Sequence, residues 1–476
     1  MPNILLVGRE EEKKVLLQAM KSSKPELIAI YGRIRVGKTF LVRNTYKSKL
    51  NFEIAGIQDG SLKEQLQNFS YRLAEYSNSR AAPVTPTNWI EAFHLLSKYL
   101  TRKKVKKHAI FIDELPWIAT PRSGFLKAFD NFWNGWATKK NIVVVICGSA
   151  ASWMIKKVIH NKGALHNRVT QVINLHPFTL TETASFFNKK KISVNRYQIL
   201  QVYMAVGGIP LYLDKIEAGK SAAQNIDSLC FSSKGFLRDE FAKLYSSLFT
   251  NPESHIKIIR AISSKWKGLT RDEIIRQSKL SDGGSINRVL DELVYAGFIS
   301  TYLPFDKKKK DKLYRLTDEY SLFYLKFIED SPSSKNTWIK LSQSQKWKSW
   351  SGYAFESICI KHGELIKKAL GIEAVYTEYS SFLIKGNKSK KGVQIDLIID
   401  RNDNSINICE MKFYNGKFSI TKKYAAEIRQ KQIRFQEKTK TTKQIFISMI
   451  SSFGIEHNKN SLGLINHDLT IDVLYK

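Results

Sequence analysis

The sequence predicts an α/β protein made of more than one domain, and three patterns indicate this. In residues 1–180, apolar runs typical of buried strands alternate with segments of helical periodicity. In residues 251–330, two short helical patterns precede a hairpin pattern, and strands and helices alternate again in residues 345–476. A chain of 476 residues also exceeds what one hydrophobic core usually holds. We therefore expect several domains.

The composition indicates a folded and strongly basic protein. Apolar residues make up 43% of the chain and aromatic residues 12%, which is sufficient for packed cores. The chain has 76 Lys and Arg against 43 Asp and Glu, a formal net charge of +33. This charge favours a polyanionic partner, because Lys and Arg that face phosphates release condensed counterions. The alternative is a lysine-rich genome that places lysine on every surface, and the four lysines at 307–310 fit both interpretations.

The cysteines and the absence of long apolar runs indicate a soluble, cytoplasmic protein. The four cysteines lie far apart and form no CxxC pair, which predicts neither a zinc site nor a disulfide framework. No apolar run approaches the ~18 residues that span a membrane, and no signal-peptide pattern opens the chain. We therefore expect no membrane partner.

A glycine-bounded loop at 32–39, Gly-Arg-Ile-Arg-Val-Gly-Lys-Thr, predicts a nucleotide site. An apolar strand-like run leads into the loop and a helical pattern follows it, which is the context that this motif requires. Backbone N–H groups between Gly32 and Gly37 would cradle phosphates. Lys38 would reach the β and γ oxygens, and the Thr39 hydroxyl would hold Mg²⁺. ATP and Mg²⁺ are therefore the expected cofactors, and ATP hydrolysis is the expected reaction.

Two further strands are predicted to end in polar residues of this site. The run 108–112 is followed by Asp113, which would hold the Mg²⁺ water shell, and Glu114, which would deprotonate the attacking water. The alternative is a helix N-cap, a position that carboxylates favour. The run 141–147 is followed two residues later by Ser149, which is a candidate γ-phosphate sensor or a simple helix cap. The ends of parallel strands converge on one crevice.

Five motifs occur together in the first half of the chain: Val7-Gly8-Arg9-Glu10, the loop at 32–39, Ile112-Asp113-Glu114, Gly148-Ser149 and Gly207-Gly208-Ile209-Pro210-Leu211-Tyr212-Leu213. Together they resemble the archaeal-type ATPase family, a branch of the AAA+/STAND P-loop ATPases. The resemblance implies a P-loop ATPase core with a parallel sheet at 1–180 and a helical lid at 181–250.

The resemblance also implies roles for individual residues. Arg9 would lie near the adenine, and Pro210 would begin the lid near the nucleotide. Arg33 and Arg35 lie in the loop and are expected to contact the nucleotide. Arg168 would act as an arginine finger, which in trans requires a neighbouring copy of the chain and hence a homo-oligomer. Around Arg168 the chain departs from the more basic, glycine-containing stretch of the family, so a plain surface charge is the alternative there.

The region 251–330 has the element order of a winged helix. A helix capped by Thr270, a turn, a second helix and a hairpin follow one another. Asn287 and Arg288 project from the second helix, which would enter a major groove of double-stranded DNA. The wing lysines at 307–310 would then contact phosphates. The alternative is that the winged helix only packs against a neighbouring domain, as it often does in AAA+ proteins.

The region 345–476 has the pattern of a PD-(D/E)xK nuclease domain, a restriction-endonuclease-like α/β fold. Glu356 lies on an amphipathic helix and Asp396 on an alternating strand, while Glu410 and Lys412 share one face of the next strand because they are two residues apart. The three carboxylates would bind Mg²⁺, and Lys412 would lower the pKa of the attacking water. The archaeal-type ATPases commonly carry such a domain. The alternative is a solvent-facing strand with alternating charges.

These patterns together predict a DNA-directed ATPase whose nucleotide cycle controls a winged helix and a Mg²⁺-dependent nuclease-like domain. The competing interpretation is an ATP-switched regulator that assembles with protein partners and has a catalytically inert nuclease-like domain. A third interpretation assigns the positive charge to RNA. Trp and Tyr are plentiful, with 9 and 20 residues, but the sequence contains no RNP-like aromatic box.

Overall fold

The chain forms two five-stranded sheets, one parallel and one mixed, in the computed structural model of the protein. The described residues are 6–79, 82–160, 165, 167–305, 307–332, 334–384, 386 and 392–476. Packing separates the chain into two units. The first unit contains Met1–Pro177, Ser247–Thr250 and Tyr295–Gly297, and the second contains Phe178–Ser246, Asn251–Val294 and Phe298–Lys476. The predicted lid, winged helix and C-terminal region therefore lie in the second unit, apart from Ser247–Thr250 and Tyr295–Gly297.

The first unit is organised around the parallel sheet. Its strands are β1 (Glu26–Tyr31), β2 (Phe52–Ala55), β3 (His108–Asp113), β4 (Ile142–Gly148) and β5 (Gln171–Asn174). Their order across the sheet is β2-β3-β4-β1-β5, and every neighbouring pair is parallel. The apolar runs 27–30 and 142–147 have no exposed surface, as expected for parallel strands covered on both faces. The predicted α/β fold with a parallel sheet is confirmed.

Helices of the first unit pack through aromatic side chains. The helices are α1 (Glu10–Lys21), α2 (Lys38–Tyr46), α3 (Leu62–Ser77), α4 (Trp89–Arg102), α5 (Leu115–Ile118), α6 (Phe125–Gly135) and α7 (Ala151–Met154). Ser61 and Glu64 form a capping box that begins α3. The Trp89 ring lies 4.8 Å from that of Phe125, and the Phe93 ring lies 5.4 Å from it. These rings join α4 to α6 and bury a large apolar surface beside the sheet.

The second unit begins with a helical region. Its helices before the C-terminal sheet are α8 (Leu180–Lys189), α9 (Arg196–Val206), α10 (Pro210–Leu213), α11 (Ala222–Cys230), α12 (Glu240–Leu248), α13 (Pro252–Ser263), α14 (Arg271–Ser278), α15 (Gly284–Tyr295), α16 (Glu319–Phe323), α17 (Thr337–Leu341), α18 (Gln345–Lys361) and α19 (Gly363–Ala369). Thr179 and Glu182 form the capping box of α8. The first five of these helices, α8 to α12, fall within the predicted lid at 181–250, with α8 beginning one residue earlier.

A helix–hairpin segment follows, formed by α13 to α15 and by the antiparallel strands β6 (Ile299–Tyr302) and β7 (Leu313–Leu316). Thr270 caps α14 in a capping box with Glu273, as the sequence predicts. The sequence also suggests Ser285 as the cap of the second helix, but α15 begins at Gly284, so Ser285 lies inside the helix. The bridge between Leu269 and Tyr314 ties the start of α14 to the hairpin.

The C-terminal sheet is mixed. Its strands are β8 (Thr377–Ile384), β9 (Val393–Arg401), β10 (Ser405–Lys412), β12 (Gln444–Ser451) and β14 (His467–Thr470); β11 (Phe418–Ser419) pairs with β13 (Ile455–Glu456), and helix α20 (Lys422–Thr439) lies between β11 and β12 in the chain. The order is β14-β12-β10-β9-β8. Strands β8, β9 and β10 are antiparallel neighbours, whereas β10, β12 and β14 are parallel.

The hairpin is packed against the C-terminal sheet. The backbone N–H of Phe305 donates to the carbonyl of Ser381 on β8 at 2.7 Å. The Phe305 ring lies 5.1 Å from that of Phe435 on α20, which itself contacts Phe382. The end of β6 is therefore anchored in the core of the C-terminal sheet.

Two predictions about the bulk properties can be compared with the structure. Within the described part of the chain, no helix has the length and apolar character needed to cross a membrane. All four cysteines, at 147, 230, 359 and 409, are buried and unpaired with one another. The predicted lack of a disulfide framework is confirmed for these cysteines.

We predict that Gly208→Ala destabilises the second unit. A Cβ atom at Gly208 would lie 1.9 Å from the carbonyl oxygen of Phe178, whose N–H donates to the Gly208 carbonyl at 2.7 Å. Such overpacking costs roughly 1–3 kcal/mol or more, so the melting temperature should fall. Gly352→Ala is the matched control, because nothing lies within 4 Å of the added Cβ in α18, and alanine favours a helix. An unchanged melting temperature for Gly208→Ala would contradict this packing.

Candidate functional site

The loop at 32–39 joins β1 to α2 and closes around a buried lysine. The amine of Lys38 donates to the carbonyls of Gly32 and Arg33 at 3.0 and 3.1 Å. Gly32 has φ 149°, and a Cβ atom there would lie 2.3 Å from the carbonyl oxygen of Leu175. Gly37 precedes α2 with φ 92°. Glycine is required at both positions because L side chains rarely adopt such backbone conformations.

The sheet order brings Ser149 between the loop and the end of β3. The Ser149 hydroxyl accepts from the Lys38 amine at 2.9 Å and donates to the Glu114 carboxylate at 2.5 Å. The Ser149 N–H also donates to Glu114, at 3.0 Å. Neither Ser149 nor Glu114 caps a helix through its side chain, because both side chains make these bonds instead. Ser149 therefore does not act as a helix cap, and its role as a γ-phosphate sensor stays a prediction.

Thr39 and Asp113 form a second pair at the same edge. The Thr39 hydroxyl donates to Oδ2 of Asp113 at 2.6 Å. Oδ1 of Asp113 accepts from the Cys147 thiol at 2.5 Å and from the Glu114 N–H at 2.9 Å. A hydroxyl and a carboxylate are the hard oxygen donors that Mg²⁺ prefers. These residues therefore fit the Mg²⁺ that accompanies ATP.

Burial changes the ionisation of two groups in this site. Desolvation lowers the pKa of Lys38, while Cys147, Glu114 and Asp113 act in the opposite direction. Desolvation raises the pKa of the Cys147 thiol well above its ordinary value, and the neighbouring Asp113 adds to this effect. Cys147 therefore stays protonated and donates to Asp113, which orients that carboxylate toward Thr39.

Arginine residues surround the loop. Arg9 precedes α1 in a left-handed conformation with φ 60°, is buried, and has a long contact of 3.5 Å from Nη2 to the carbonyl of Val36. Arg33 is buried and Arg35 is partly buried with φ 71°. The structure thus brings Arg9 to the loop. Direct contact of these arginines with the nucleotide stays a prediction.

The family resemblance also implies roles for Arg168 and Pro210. Arg168 is exposed, and its neighbour His166 lies outside the described residues. Pro210 is the first residue of α10, in the second unit, immediately after the turn at Gly207 and Gly208. The roles of Arg168 as an arginine finger and of Pro210 beside the nucleotide stay predictions.

A parallel sheet whose loop lysine, Thr–Asp pair and strand-end glutamate meet at one edge is characteristic of P-loop ATPases. The sequence comparison agrees with this class, because residues 6–216 match the model of a family described as an ATPase domain predominantly from Archaea. ATP binding and an ATP-driven function are therefore supported for this region.

Individual relatives are distant. The chain is 25% identical over 438 residues to an uncharacterized protein of Methanocaldococcus jannaschii, covering 90% of this chain and 92% of that protein. An uncharacterized ATP-binding protein of the same organism is 25% identical over 320 residues, covering 58% and 86%. The Walker-type ATPase of Pyrococcus abyssi has a TM-score of 0.49 at 16% identity, covering 67% of this chain and 96% of that one. The similarity to the first of these proteins extends well beyond residues 6–216 of the ATPase match.

A carboxylate cluster, Glu356, Asp396 and Glu410, lies at the C-terminal sheet. Strands β9 and β10 pair as far as Cys409 opposite Leu397, so Glu410 and Asp396 are the next residues beyond the last pair. Glu356 on α18 interacts electrostatically with Asp396, Glu410 and Lys412. Burial, with the charge of Asp396 beside it, raises the pKa of Glu356 to about 8. The predicted nuclease residues are thus brought near one another.

Helix α20 engages one member of this cluster. Glu410 is buried, and its carboxylate accepts from the Tyr424 hydroxyl at 2.8 Å and from the amine of Lys431. The Lys412 amine lies over the Tyr424 ring, 4.9 Å from its centroid. Within the described residues, no group of three or more His, Cys, Asp or Glu side chains has the spacing to hold a metal ion. The predicted three-carboxylate site is therefore not assembled, because Tyr424 and Lys431 hold Glu410.

The remaining two carboxylates nevertheless fit Mg²⁺. Proteins commonly hold this ion by one or two carboxylates together with substrate phosphates. Glu356 and Asp396 can supply these two ligands. Asp396 also accepts from the side-chain amide of Gln394.

The sequence did not reveal several neighbours of these sites. Tyr424 and Lys431 are seven residues apart on α20, and this spacing of one helix face was the available signal. Cys147 ends a strand but has no pattern that predicts a bond to Asp113. Arg315 approaches Glu356 from β7, and no local pattern predicts such a long-range contact.

The residues predicted to contact DNA lie on the surface of α15. Asn287 is exposed and accepts from Nε of Arg271 at 2.7 Å. Arg288 is exposed and lies 3.7 Å from Glu292. Both side chains are accessible, and their contact with nucleic acid stays a prediction.

We predict that Glu114→Gln abolishes turnover but preserves nucleotide binding. The amide can still accept from the Ser149 hydroxyl, but it cannot take a proton from water. Loss of a general base typically costs about 10²–10⁴-fold in rate. Steady-state phosphate release and binding of a fluorescent ATP analogue measure the two effects. Lys38→Met is the comparison variant and should lose binding. Turnover within a few-fold of wild type in Glu114→Gln would refute this role.

We predict that Lys431→Met lowers the stability of the second unit. Among the described residues, it leaves the buried carboxylate of Glu410 with the Tyr424 hydroxyl as its one remaining side-chain hydrogen-bond partner. Removing one member of a buried ion pair costs roughly 3–5 kcal/mol, so the melting temperature should fall clearly. The double variant Lys431→Met with Glu410→Gln should recover most of the loss because the uncompensated charge is gone. No recovery would show that Lys431 acts through packing alone.

Proposed function

We propose that this protein is a nucleic-acid-binding ATPase whose nucleotide cycle controls a C-terminal, Mg²⁺-dependent nuclease-like domain that acts on DNA. The observation that supports it best is the proximity of Glu356, Asp396, Glu410 and Lys412 at one sheet, in a chain that also has an assembled P-loop site. The C-terminal element order, a helix, three antiparallel strands, a helix and a parallel strand, agrees with a restriction-endonuclease-like domain.

The ATPase step uses the bonds described above. Lys38 would exchange its bonds to the loop carbonyls for the β and γ oxygens of ATP. Glu114, held by Ser149, would orient the attacking water and accept its proton. Because Ser149 contacts both Lys38 and Glu114, it can report γ-phosphate at Lys38 to the catalytic carboxylate. Release of the phosphate would restore the bonds seen here.

The C-terminal step requires two kinds of group. Asp396 and Glu356 would hold Mg²⁺, which when bound polarises the scissile phosphate. Lys412 would favour deprotonation of the attacking water by its positive charge. Glu410 would orient Tyr424 and Lys431 beside them.

Contacts within the second unit support control of the C-terminal domain through the lid. Glu319 lies against Gly207 in the lid turn and pairs with Lys361 on α18 at 2.5 Å. Helix α18 also carries Glu356. In addition, the Tyr197 ring of α9 stacks at 4.9 Å on Phe413, the residue after Lys412. A movement of the lid would therefore be transmitted to both the helix and the strand of the carboxylate cluster.

The charge and the exposed helix α15 support a nucleic-acid partner. A net charge of +33 favours binding to a phosphate backbone, with affinity that falls as salt rises. In a winged-helix arrangement, Asn287 and Arg288 would face base edges of double-stranded DNA. The anchoring of Phe305 in the C-terminal core would place such DNA close to that domain.

A second candidate function is an ATP-switched assembly protein with an inert nuclease-like domain. The engagement of Glu410 by Tyr424 and Lys431 favours it, because this carboxylate is then committed to a structural network. The size of the assembly with ADP and with a non-hydrolysable ATP analogue would distinguish it. Arg168, acting as a finger from a neighbouring copy, would make assembly necessary for turnover.

We predict that plasmid DNA stimulates ATP turnover and is nicked in the presence of Mg²⁺. Lys38→Ala should lose turnover, whereas Asp396→Asn should lose nicking but retain ATP hydrolysis, because the two sites are chemically separate. Glu378→Gln, an exposed carboxylate on β8, is the matched control and should behave as wild type. Phosphate release and gel electrophoresis of the same reactions give both readouts.

Two results would decide against the nuclease. One is ATP hydrolysis with intact DNA or RNA under every divalent metal tested. The other is nicking that persists unchanged in Asp396→Asn, which would indicate a contaminating enzyme. The assembly interpretation would then remain.

A further inference from the structure

The helix–hairpin segment contributes two cations to the carboxylate cluster. Arg315 on β7 interacts electrostatically with Glu356 and Asp396. Lys267, in the loop before α14, interacts with the same two carboxylates. Both belong to the segment predicted to read DNA, yet they lie within electrostatic range of the predicted cleavage site. The site is therefore built from two parts of the second unit.

Aromatic side chains hold Arg315 in place. Its guanidinium lies over the Trp266 ring at 5.3 Å. The Trp266 ring in turn lies 5.1 Å from that of Tyr353 on α18. Tyr353 precedes Glu356 by three residues, so the two side chains share a helix face. This stack places Arg315 beside the part of α18 that carries Glu356.

The Arg315 guanidinium has hydrogen-bonding capacity that no described residue uses. Its Nε and Nη2 atoms are buried and have no hydrogen-bond partner. Among the described residues, no ion pair within 4.0 Å joins Arg315 to the carboxylates that it faces. Buried donors without partners are costly, and burial lowers the pKa of this guanidinium. A ligand that accepts two hydrogen bonds would remove this cost.

The geometry of the unused donors indicates the ligand. Nε–H and Nη2–H form one edge of the guanidinium fork, which matches two oxygens of a phosphate or carboxylate group. Lys267, Arg315, Lys412 and Lys431 outnumber the three carboxylates of the cluster. An anion is therefore favoured. A phosphate could bind the cations of the cluster and also ligate a metal ion held by Glu356 and Asp396.

We propose that Arg315, assisted by Lys267, binds the phosphodiester phosphate of a nucleic-acid strand at the carboxylate cluster, so that the hairpin completes the cleavage site. This rests on the proposed nuclease-like function for the identity of the strand. It adds a substrate-binding group from outside the C-terminal sheet. The hairpin then acts as part of the site and not only as a groove reader.

Binding without cleavage tests this assignment. The full-length protein is titrated into a short fluorescein-labelled oligonucleotide in EDTA and in Ca²⁺, and anisotropy is measured. Arg315→Met should weaken binding by about tenfold or more, since charged hydrogen bonds contribute roughly 1.5–3 kcal/mol. Arg276→Met, an exposed arginine of α14, is the matched control and should stay within about twofold of wild type. Arg315→Lys should be intermediate because it keeps the charge but loses the fork.

A melting curve separates ligand binding from a structural role. Arg315→Met should melt no lower than wild type without nucleic acid, because it removes buried donors that lack partners. A marked drop would assign Arg315 to holding the hairpin on α18 and would overturn the proposal. Calorimetry with inorganic phosphate is a second arm. Arg315-dependent binding of inorganic phosphate without Arg315-dependent binding of the oligonucleotide would replace a phosphodiester by a free phosphate and would also overturn it.

The remaining outcomes distinguish this inference from the nuclease function. If wild type binds but never cleaves, and Arg315→Met loses binding, the phosphate site stands and the nuclease is excluded. If wild type cleaves and Arg315→Met binds and cleaves equally well, the nuclease stands and the phosphate site is excluded. Tighter binding by Arg315→Met would show that the guanidinium blocks the site. No binding by wild type would overturn the proposal.

Discussion

The insertion of β4 between β1 and β3 is the constraint on which the nucleotide site depends. Because neighbouring strands are parallel, their carboxyl ends meet at one edge, and Ser149 comes to lie between Lys38 and Glu114. The Thr39–Asp113 pair closes the same edge. Helices on both faces exclude water from the strands, which keeps the register rigid. The ordered strand ends therefore create a hydrogen-bonded path from Lys38 through Ser149 to Glu114.

The carboxylate cluster of the C-terminal sheet lies on antiparallel strands, unlike the nucleotide site. The antiparallel pairing ends with Leu397 opposite Cys409, which leaves Asp396 and Glu410 as the next residues of the two strands. Two neighbouring carboxylates repel each other unless cations or protons intervene. Lys431 and Tyr424 stabilise one of them, while Glu356 has a pKa raised to about 8 mainly by burial. In this cluster Glu410 is bonded to Tyr424 and Lys431, whereas Glu356 and Asp396 can accept a cation.

In the second unit, side-chain contacts join the predicted lid, the hairpin and the C-terminal sheet. Glu319 connects the lid turn to α18, and Tyr197 stacks on the residue after Lys412. Phe305 anchors the hairpin in the C-terminal core. Packed interfaces of this kind have few alternative arrangements. A displacement of one of these elements would therefore shift the elements packed against it.

The sequence by itself determined the features that depend on neighbouring residues. The loop at 32–39, the parallel α/β core, the Thr270 cap and the two-residue spacing of Glu410 and Lys412 are local patterns. The tertiary structure decided the partners: Ser149 bonds to a lysine 111 residues away, and Lys431 reaches Glu410. It also decided that Arg315 comes within electrostatic range of Glu356. Periodicity reports which face of an element is buried, but only the packing of distant elements determines which polar groups meet there.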